Sequence, residues 1–597
     1  MTAAHVEVSN LSIAVRTPDG ERTIVDDVSF AIPRGEVLAL VGESGSGKTT
    51  IALSLLGHTR VGARIAAGAI RIGETRVDQL DAAGLSALRG RRVSYVAQSA
   101  AAGFNPSRPL MAQVIEPLLV HGLATRVEAE ARAVALFRAL ALPSPDEIGR
   151  RYPHQVSGGQ LQRLMAAMAL ITGPELVVLD EPTTALDVTT QVDVLRAFKA
   201  ALREAGATAV YVSHDLAVVA QMADRIAVLN GGRLIEEGPT EQLLAAPQTD
   251  YARTLFAAAR PKPDAAGLSP GDVAITASNL VAGYGKVRDG VPAIPVVENV
   301  SFTLLRGEAL GVIGESGSGK STLARVISGL LPAASGEVEL GGQVLPSDLA
   351  GRSREQLRRV QLVFQNADTA LNPAQRVGDI LARPLALFHG LKGAAAEARV
   401  GELLDLIKLP RDVAGRLSTE LSGGQKQRVN LARALAAEPD VLLCDEVTSA
   451  LDTVVGAAIL SLIDELRRKL GFATVFISHD LSTVRAFCDQ VLVLYGGTAV
   501  EKADRAGFAA GPHHPYTRLL LDSVPALERG WLERQPPREA VLREGGAGLC
   551  RFLPRCPVAM QGTCDVVAVP LQADGRHTWL CHHEISALAA QDGKPAR

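Results

Sequence analysis

This chain has no basic surplus, few cysteines and no long apolar run, and each shortage excludes something. Its 61 lysines and arginines face 64 acidic residues, for a net charge of −3. That balance offers nothing to neutralise a phosphate backbone, so nucleic acid is not an expected partner. No uninterrupted apolar stretch approaches the roughly 18–20 residues that cross a bilayer, so any tie to a membrane is expected to come through partner proteins. The start, MTAAHVEVSN, shows neither the charged region nor the apolar core of a signal peptide, which gives a cytoplasmic expectation. Six cysteines in 597 residues are too few for a disulfide scaffold, and four of them crowd into the last 50 positions. What remains is an ordinary globular balance, 47% hydrophobic and 21% charged, at a length that calls for two large domains and a smaller piece.

Two stretches share one spelling: Gly42-Glu43-Ser44-Gly45-Ser46-Gly47-Lys48-Thr49 and Gly314-Glu315-Ser316-Gly317-Ser318-Gly319-Lys320-Ser321. Each follows an apolar run that reads as a buried strand and precedes a helix-like stretch, 50–56 or 322–331, opened by Thr50 or Thr322. In that strand–loop–helix setting the glycines let backbone N–H groups converge on phosphate oxygens at a helix N-terminus. Lys48 and Lys320 would reach the terminal phosphates, and the Thr49 and Ser321 hydroxyls would ligate magnesium. The two lysines stand 272 positions apart, close to half the chain.

Other signals recur in the same order. Gln98 and Gln365 follow apolar strands and precede Asn105-Pro106 and Asn372-Pro373. Ser157-Gly158-Gly159-Gln160 and Ser422-Gly423-Gly424-Gln425 each open an apolar-periodic helix. Buried strands end in Asp180-Glu181 and Asp445-Glu446, followed by Thr184-Ala185-Leu186-Asp187 and Ser449-Ala450-Leu451-Asp452. His214 and His479 close the last strand of each set. The serine, the acidic pair and the histidine each recur after 265 positions. Strands alternating with helices predict two tandem α/β domains, each with a largely parallel core sheet. A Pro/Gly-rich stretch divides them, giving domains at 5–258 and 273–525, a linker at 259–272 and a cysteine-containing tail at 526–597.

This ordered set closely resembles the ATP-binding subunits of ABC transporters, over roughly 500 residues covering both repeats. The resemblance implies two P-loop ABC-type nucleotide-binding domains, ATP and magnesium as cofactors, and a pseudo-dimer within one chain. Head-to-tail pairing would place Lys48 with the Ser422-to-Gln425 signature and Lys320 with the Ser157-to-Gln160 signature. Asp180 and Asp445 would hold the magnesium shell, with Gln98 and Gln365 contacting it, and Glu181 and Glu446 would act as general bases. His214 and His479 would sense the γ-phosphate. Tyr284 fits the family's adenine-stacking aromatic in the second domain, whereas the matching place in the first holds Val15. The second domain also has Val447 where the first has Pro182. With all catalytic letters present in both, two hydrolysing sites are expected.

Within the family, the Arg151-Tyr152-Pro153-His154-Gln155 lead-in, the Asn-Pro pairs and above all His514-Pro515-Tyr516-Thr517-Arg518 resemble the oligopeptide/dipeptide/nickel importer branch. The first domain keeps a worn form, Asp250-Tyr251-Ala252-Arg253. Members of this branch usually carry the two ATPases on separate chains; here they are fused. The implied partners are two transmembrane permeases and an extracytoplasmic solute-binding protein, with the ATPase peripheral to the cytoplasmic face of the inner membrane. A soluble twin-ATPase acting on ribosomes or nucleic acid, an importer of nickel or another small solute, and an exporter energiser remain alternatives. The tail's Cys550, Cys556, Cys564 and Cys581 fit neither short zinc pairs nor ferredoxin spacing. Four thiols so close in a cytoplasmic chain nevertheless favour a metal. The branch's similar Cys-Arg-Phe-x-Pro-Arg-Cys tail implies a [4Fe-4S] cluster, with zinc, drawing on His577, His582 or His583, as the alternative.

Overall fold

The computed structural model describes residues 4–17, 20–184, 186–260, 271–449, 451–535, 548–584 and 587–588. Most of the expected linker, together with Ala185 and Ala450, lies outside the described residues. The chain forms two compact units. One comprises Met1–Arg260 with Asp452–Val454 and Pro525–Pro536, the other Pro261–Leu451, Val455–Val524 and Pro537–Arg597.

In the first unit, a four-stranded antiparallel sheet is built from β1 (Ala4–Thr17), β2 (Gly20–Pro33), β4 (Ala63–Ile72) and β5 (Thr75–Arg76), in the order β2-β1-β4-β5. The core sheet contains β3 (Val37–Val41), β6 (Val93–Val96), β7 (Leu176–Asp180), β8 (Thr208–Val212), β9 (Arg225–Asn230) and β10 (Arg233–Pro239). Its order is β10-β9-β3-β8-β7-β6, parallel except for β10. Strands β7 and β8 are buried at every position, as expected where both faces of a parallel sheet are covered. The phosphate loop leaves β3 at the centre of the sheet, beside the end of β8.

The stretch Pro525–Pro536 belongs to this unit. The Gln221 side chain donates to the Ala526 and Glu528 carbonyls at 2.7 and 2.8 Å and accepts from Leu532 N at 3.0 Å. Leu532 is buried in the same apolar core as Phe198 and Val219. The sequence gives no local hint of this, because the partners are more than 300 positions apart.

The second unit repeats the plan. Strands β11 (Val273–Arg288), β12 (Val291–Leu305), β14 (Ser335–Leu340) and β15 (Gln343–Val344) form the antiparallel sheet β12-β11-β14-β15. The core sheet contains β13 (Ala309–Ile313), β16 (Val360–Val363), β17 (Val441–Asp445), β18 (Ala473–Ile477), β19 (Gln490–Tyr495) and β20 (Thr498–Asp504). Two strands of the tail, β21 (Leu571–Asp574) and β22 (His577–Leu580), extend it to the order β16-β17-β18-β13-β19-β20-β22-β21. The tail is therefore no appendage: its hairpin adds to β20, whose counterpart β10 ends the sheet of the first unit.

Candidate functional site

Each phosphate loop passes directly into a helix, Lys48–Ser54 or Lys320–Ile327, capped by Gly47 or Gly319 at φ 95° or 101°. The helices thus begin at the lysines, before the expected 50 and 322, and end before the left-handed Gly57 and Gly329. Gly42 and Gly314 are forced: with φ 147° and 151°, a Cβ would lie 2.1 Å from the Leu229 carbonyl oxygen and 2.2 Å from that of Leu494. Lys48 and Lys320 are buried, yet their Nζ atoms donate to loop carbonyls, Gly42 and Glu43 at 2.7 Å and Gly314 and Glu315 at 2.8 Å. Ser44, Gly45, Ser316 and Gly317 form the exposed crest of the loops, while Thr50 and Thr322 lie in the first helical turn.

The acidic pairs meet these loops. Thr49 Oγ1 donates to Asp180 Oδ1 at 3.1 Å, and Ser321 Oγ to Asp445 Oδ1 at 2.9 Å. Burial pushes both aspartates above the ordinary carboxylate range, against the pull of these hydroxyls. These hard oxygen donors suit a magnesium ion.

The chain turns sharply at the next residue. Glu181 and Glu446 have φ 49° and 50°, a left-handed conformation that costs energy for any residue but glycine and clusters at functional sites. Their amides still bond to the Val212 and Ile477 carbonyls at 2.9 and 3.0 Å. The carboxylates therefore leave the sheet towards the glutamine and the histidine. Gln98 Nε2 donates to Glu181 at 3.1 Å, and Gln365 Nε2 to Glu446 at 2.7 Å. His214 Nδ1 lies 3.0 Å from Glu181 Oε1, and His479 Nδ1 lies 3.7 Å from Glu446 Oε2. Burial raises Glu181 and lowers His214, but the bond and charge between them outweigh it, leaving the glutamate low and the histidine high. In the second unit His479, 3.7 Å away, likewise lowers Glu446 and is itself raised by it.

The Ser-Gly-Gly-Gln signatures are helix starts. Ser157 Oγ accepts from Gln160 N at 3.3 Å while Gln160 Oε1 accepts from Ser157 N at 3.0 Å, and Ser422 and Gln425 do the same at 3.4 and 3.0 Å. These capping boxes open helices Gly158–Leu170 and Gly423–Leu435 and leave their first turns directed at solvent, where the helix dipole favours anions. Counted from the buried Leu11 and Leu280, Val15 and Tyr284 hold matching places on β1 and β11. Tyr284 is exposed, with its hydroxyl 3.5 Å from Arg325 Nη1.

The ABC transporter family profile matches residues 25–184 and again 297–449. The chain belongs to the ABC transporter family. It is an ABC-type ATPase with two ATP-binding cassettes in tandem. A second profile, the C-terminal region of oligopeptide/dipeptide transporters, matches 500–564. The glutathione import ATP-binding protein GsiA of Escherichia coli (strain K12) is 35% identical over 573 residues, covering 90% of this chain and 92% of that protein. Its counterpart from Shigella dysenteriae serotype 1 (strain Sd197) is 36% identical over 574 residues, with the same coverage. Among solved structures, a dimeric ATP-binding cassette bound to ADP and Pi matches 39% of this chain and 98% of its own at 26% identity, with a TM-score of 0.36.

Three features of these ABC cassettes escape motif reading. Tyr251 Oη accepts from Glu43 N at 3.2 Å, and Tyr516 Oη from Glu315 N at 2.8 Å, so the tyrosine of each C-terminal segment touches its own phosphate loop. The two tyrosines are separated by the 265 positions that relate the other motifs, which was the available signal. Tyr95 donates to Asp180 Oδ2 at 2.9 Å, whereas Leu362 stands at the corresponding place on β16. Finally, Arg555 of the tail pairs with Glu315 of the second loop.

The tail's Cys550, Cys556, Cys564 and Cys581 are free thiols, all but Cys550 buried. Burial, then the other thiols, pushes Cys556 up to about 12, and the same two causes push Cys581 to about 11. Among the described residues, however, no group of three or more His, Cys, Asp or Glu side chains is arranged to hold a metal ion. The expected [4Fe-4S] or zinc set at Cys550, Cys556, Cys564 and Cys581 thus gains no support from this geometry. His577, considered above for zinc, bonds Glu501 at 3.1 Å instead, and His582 and His583 bond the Val567 and Val558 carbonyls. No helix among the described residues is long and apolar enough to cross a membrane.

Proposed function

We propose that this chain is the fused ATPase of an importer of short peptides, working through two permeases and an extracytoplasmic binding protein. The match of 500–564 to the oligopeptide/dipeptide transporter C-terminal region carries this reading. A relative named for import of glutathione, itself a tripeptide, agrees with it; nickel or another small solute is the alternative cargo. The cassettes correspond to 5–258 and 273–525, with 259–272 as linker and 526–597 as tail.

Each ATP would lie between one cassette's phosphate loop and the other's signature, Lys48 with Ser422 to Gln425 and Lys320 with Ser157 to Gln160. Fusion makes that pairing intramolecular, at high effective concentration. Magnesium, held by Thr49, Asp180 and Gln98 or by Ser321, Asp445 and Gln365, would neutralise charge on the phosphates. Glu181 and Glu446 would accept the proton of the attacking water, and His214 and His479 would fix each glutamate's orientation and its ionised state. Tyr284 would stack on adenine. Closure on ATP favours one permease state over the other, which is how hydrolysis would drive transport. The chain would sit peripherally on the cytoplasmic face of the membrane.

Affinity purification from detergent-solubilised native membranes tests this. Two multi-spanning permeases in the eluate are expected. Ribosomal or DNA-repair proteins without a permease would replace transport by the soluble twin-ATPase reading.

For the tail, we infer a four-thiol ligand set for a [4Fe-4S] cluster, with zinc as the alternative. The closeness of four thiols in the sequence supports it, while among the described residues no set of side chains is arranged as a metal cage. Anaerobic purification followed by iron, sulfide and zinc analysis decides: protein without any of the three would rule out both metals.

A further inference from the structure

We propose that Arg555 and Tyr516 are positioning residues of the Lys320 ATP site, holding its phosphate loop through Glu315 and so tying that loop to the cysteine tail. Glu315 is gripped twice. Its amide donates to Tyr516 Oη at 2.8 Å, and its carboxylate receives the Arg555 fork at 2.7 and 2.9 Å. The Arg555 guanidinium lies 5.9 Å from the ring centres of both Tyr495 and Phe552. Phe552, almost wholly buried, packs against Tyr495 at 5.2 Å and Tyr516 at 5.4 Å. One aromatic cluster therefore carries both grips.

The mount behind that cluster is fixed. Strand β22 pairs with β20, and the buried Glu501 on β20 accepts from His514 N at 2.7 Å and lies 2.8 and 3.1 Å from ring nitrogens of His513 and His577. Arg551, the residue after Cys550, pairs with Glu298 at 2.5 Å, and Arg555 directly precedes Cys556.

Charge gives the arrangement its purpose. A carboxylate in a phosphate loop opposes an incoming triphosphate, and a bidentate arginine both offsets its charge and fixes its direction. The first unit lacks this device. Tyr251 holds the Glu43 amide, but among the described residues no salt bridge involves Glu43, whose carboxyl is raised by burial and then by the charge of Asp452. The tail thus acts on nucleotide affinity at one site only.

The proposal rests on reading the Lys320 loop as an ATP site, and its test separates the two claims. In the full chain carrying Lys48→Ala, MgATP binding is titrated with and without Arg555→Ala. A weakening of about five- to tenfold is expected, the loss of one partly exposed charge-assisted fork. Arg555→Lys should restore only part of it, because an ammonium cannot fork. Adding Glu315→Gln to Arg555→Ala should recover affinity, since the loop then carries no acid that the arginine must offset. With Lys48 intact, Arg555→Ala should raise KM for ATP more than it lowers kcat. Unchanged affinity in Arg555→Ala, or no recovery with Glu315→Gln, would overturn the coupling while leaving the site reading intact. ATP binding that survives Lys48→Ala combined with Lys320→Ala would overturn the site reading and this proposal with it.

Discussion

In the first cassette the carboxylate of Asp180 is held at both oxygens, by Thr49 and by Tyr95; in the second, Ser321 holds Asp445 while Leu362 takes the place of Tyr95. The second cassette instead has Tyr284 where the first has Val15, and Arg555 on a loop acid whose counterpart Glu43 meets no arginine among the described residues. The shared residues are those proposed to face phosphate and water. The divergent ones surround them; on that proposal they would fix the metal-side carboxylate in one unit and hold the nucleotide in the other. Two sites of the same chemistry can thus differ in affinity without losing a catalytic group.

The largest effect expected is common to both cassettes. Glu181→Gln and Glu446→Gln should each cut ATP turnover at its own site by about 100-fold or more, the scale of general-base catalysis. Steady-state ATPase assays left untouched by either change would replace the two-site picture by a single working site. Next comes adenine. Stacking a base on an aromatic contributes about 1–3 kcal/mol, so Tyr284→Val should weaken ATP binding by about tenfold and Val15→Tyr should strengthen it, both read in nucleotide titrations. If the swaps leave affinity level, the asymmetry lies elsewhere.

Tyr95→Phe removes one hydrogen bond to Asp180, a loss of about 0.5–1.5 kcal/mol. Turnover in a Glu446→Gln background, which reports the first site, should fall a few-fold, while Leu362→Phe measured in Glu181→Gln should do nothing comparable. The smallest effect is on pH. His214 and His479 are raised above 6.5 and their glutamates lowered. The stability each raised imidazole contributes is therefore full below pH 6.5 and is lost as pH rises through its folded-state value. The Tm gap between the wild type and Glu181→Gln should close over that range. The gap for Glu446→Gln should be smaller throughout, because His479 is the more exposed histidine and stands farther from its partner.

Much of each cassette was legible because its chemistry is local. A Ser-x-x-Gln capping box closes within one helical turn, a glycine-rich loop needs only its neighbours to curl around a lysine, and doubly buried strands advertise themselves as apolar runs. The order of those signals, repeated in the second half of the chain, was enough to identify two ATPase units. Local reading had no access to the Tyr516 hydroxyl on an amide 201 positions away, Arg555 on Glu315 across 240, or Gln221 gripping a segment more than 300 positions on. The left-handed turn that aims Glu181 at His214 was equally hidden, since it follows from the Val212 carbonyl claiming the glutamate's amide. The sequence by itself determined which groups can bind phosphate and move a proton, because those properties belong to residue types at short spacing. Only the tertiary structure decided which loop the tail would hold, because that depends on β20 pairing with β22 and carrying the cysteine segment to the second phosphate loop.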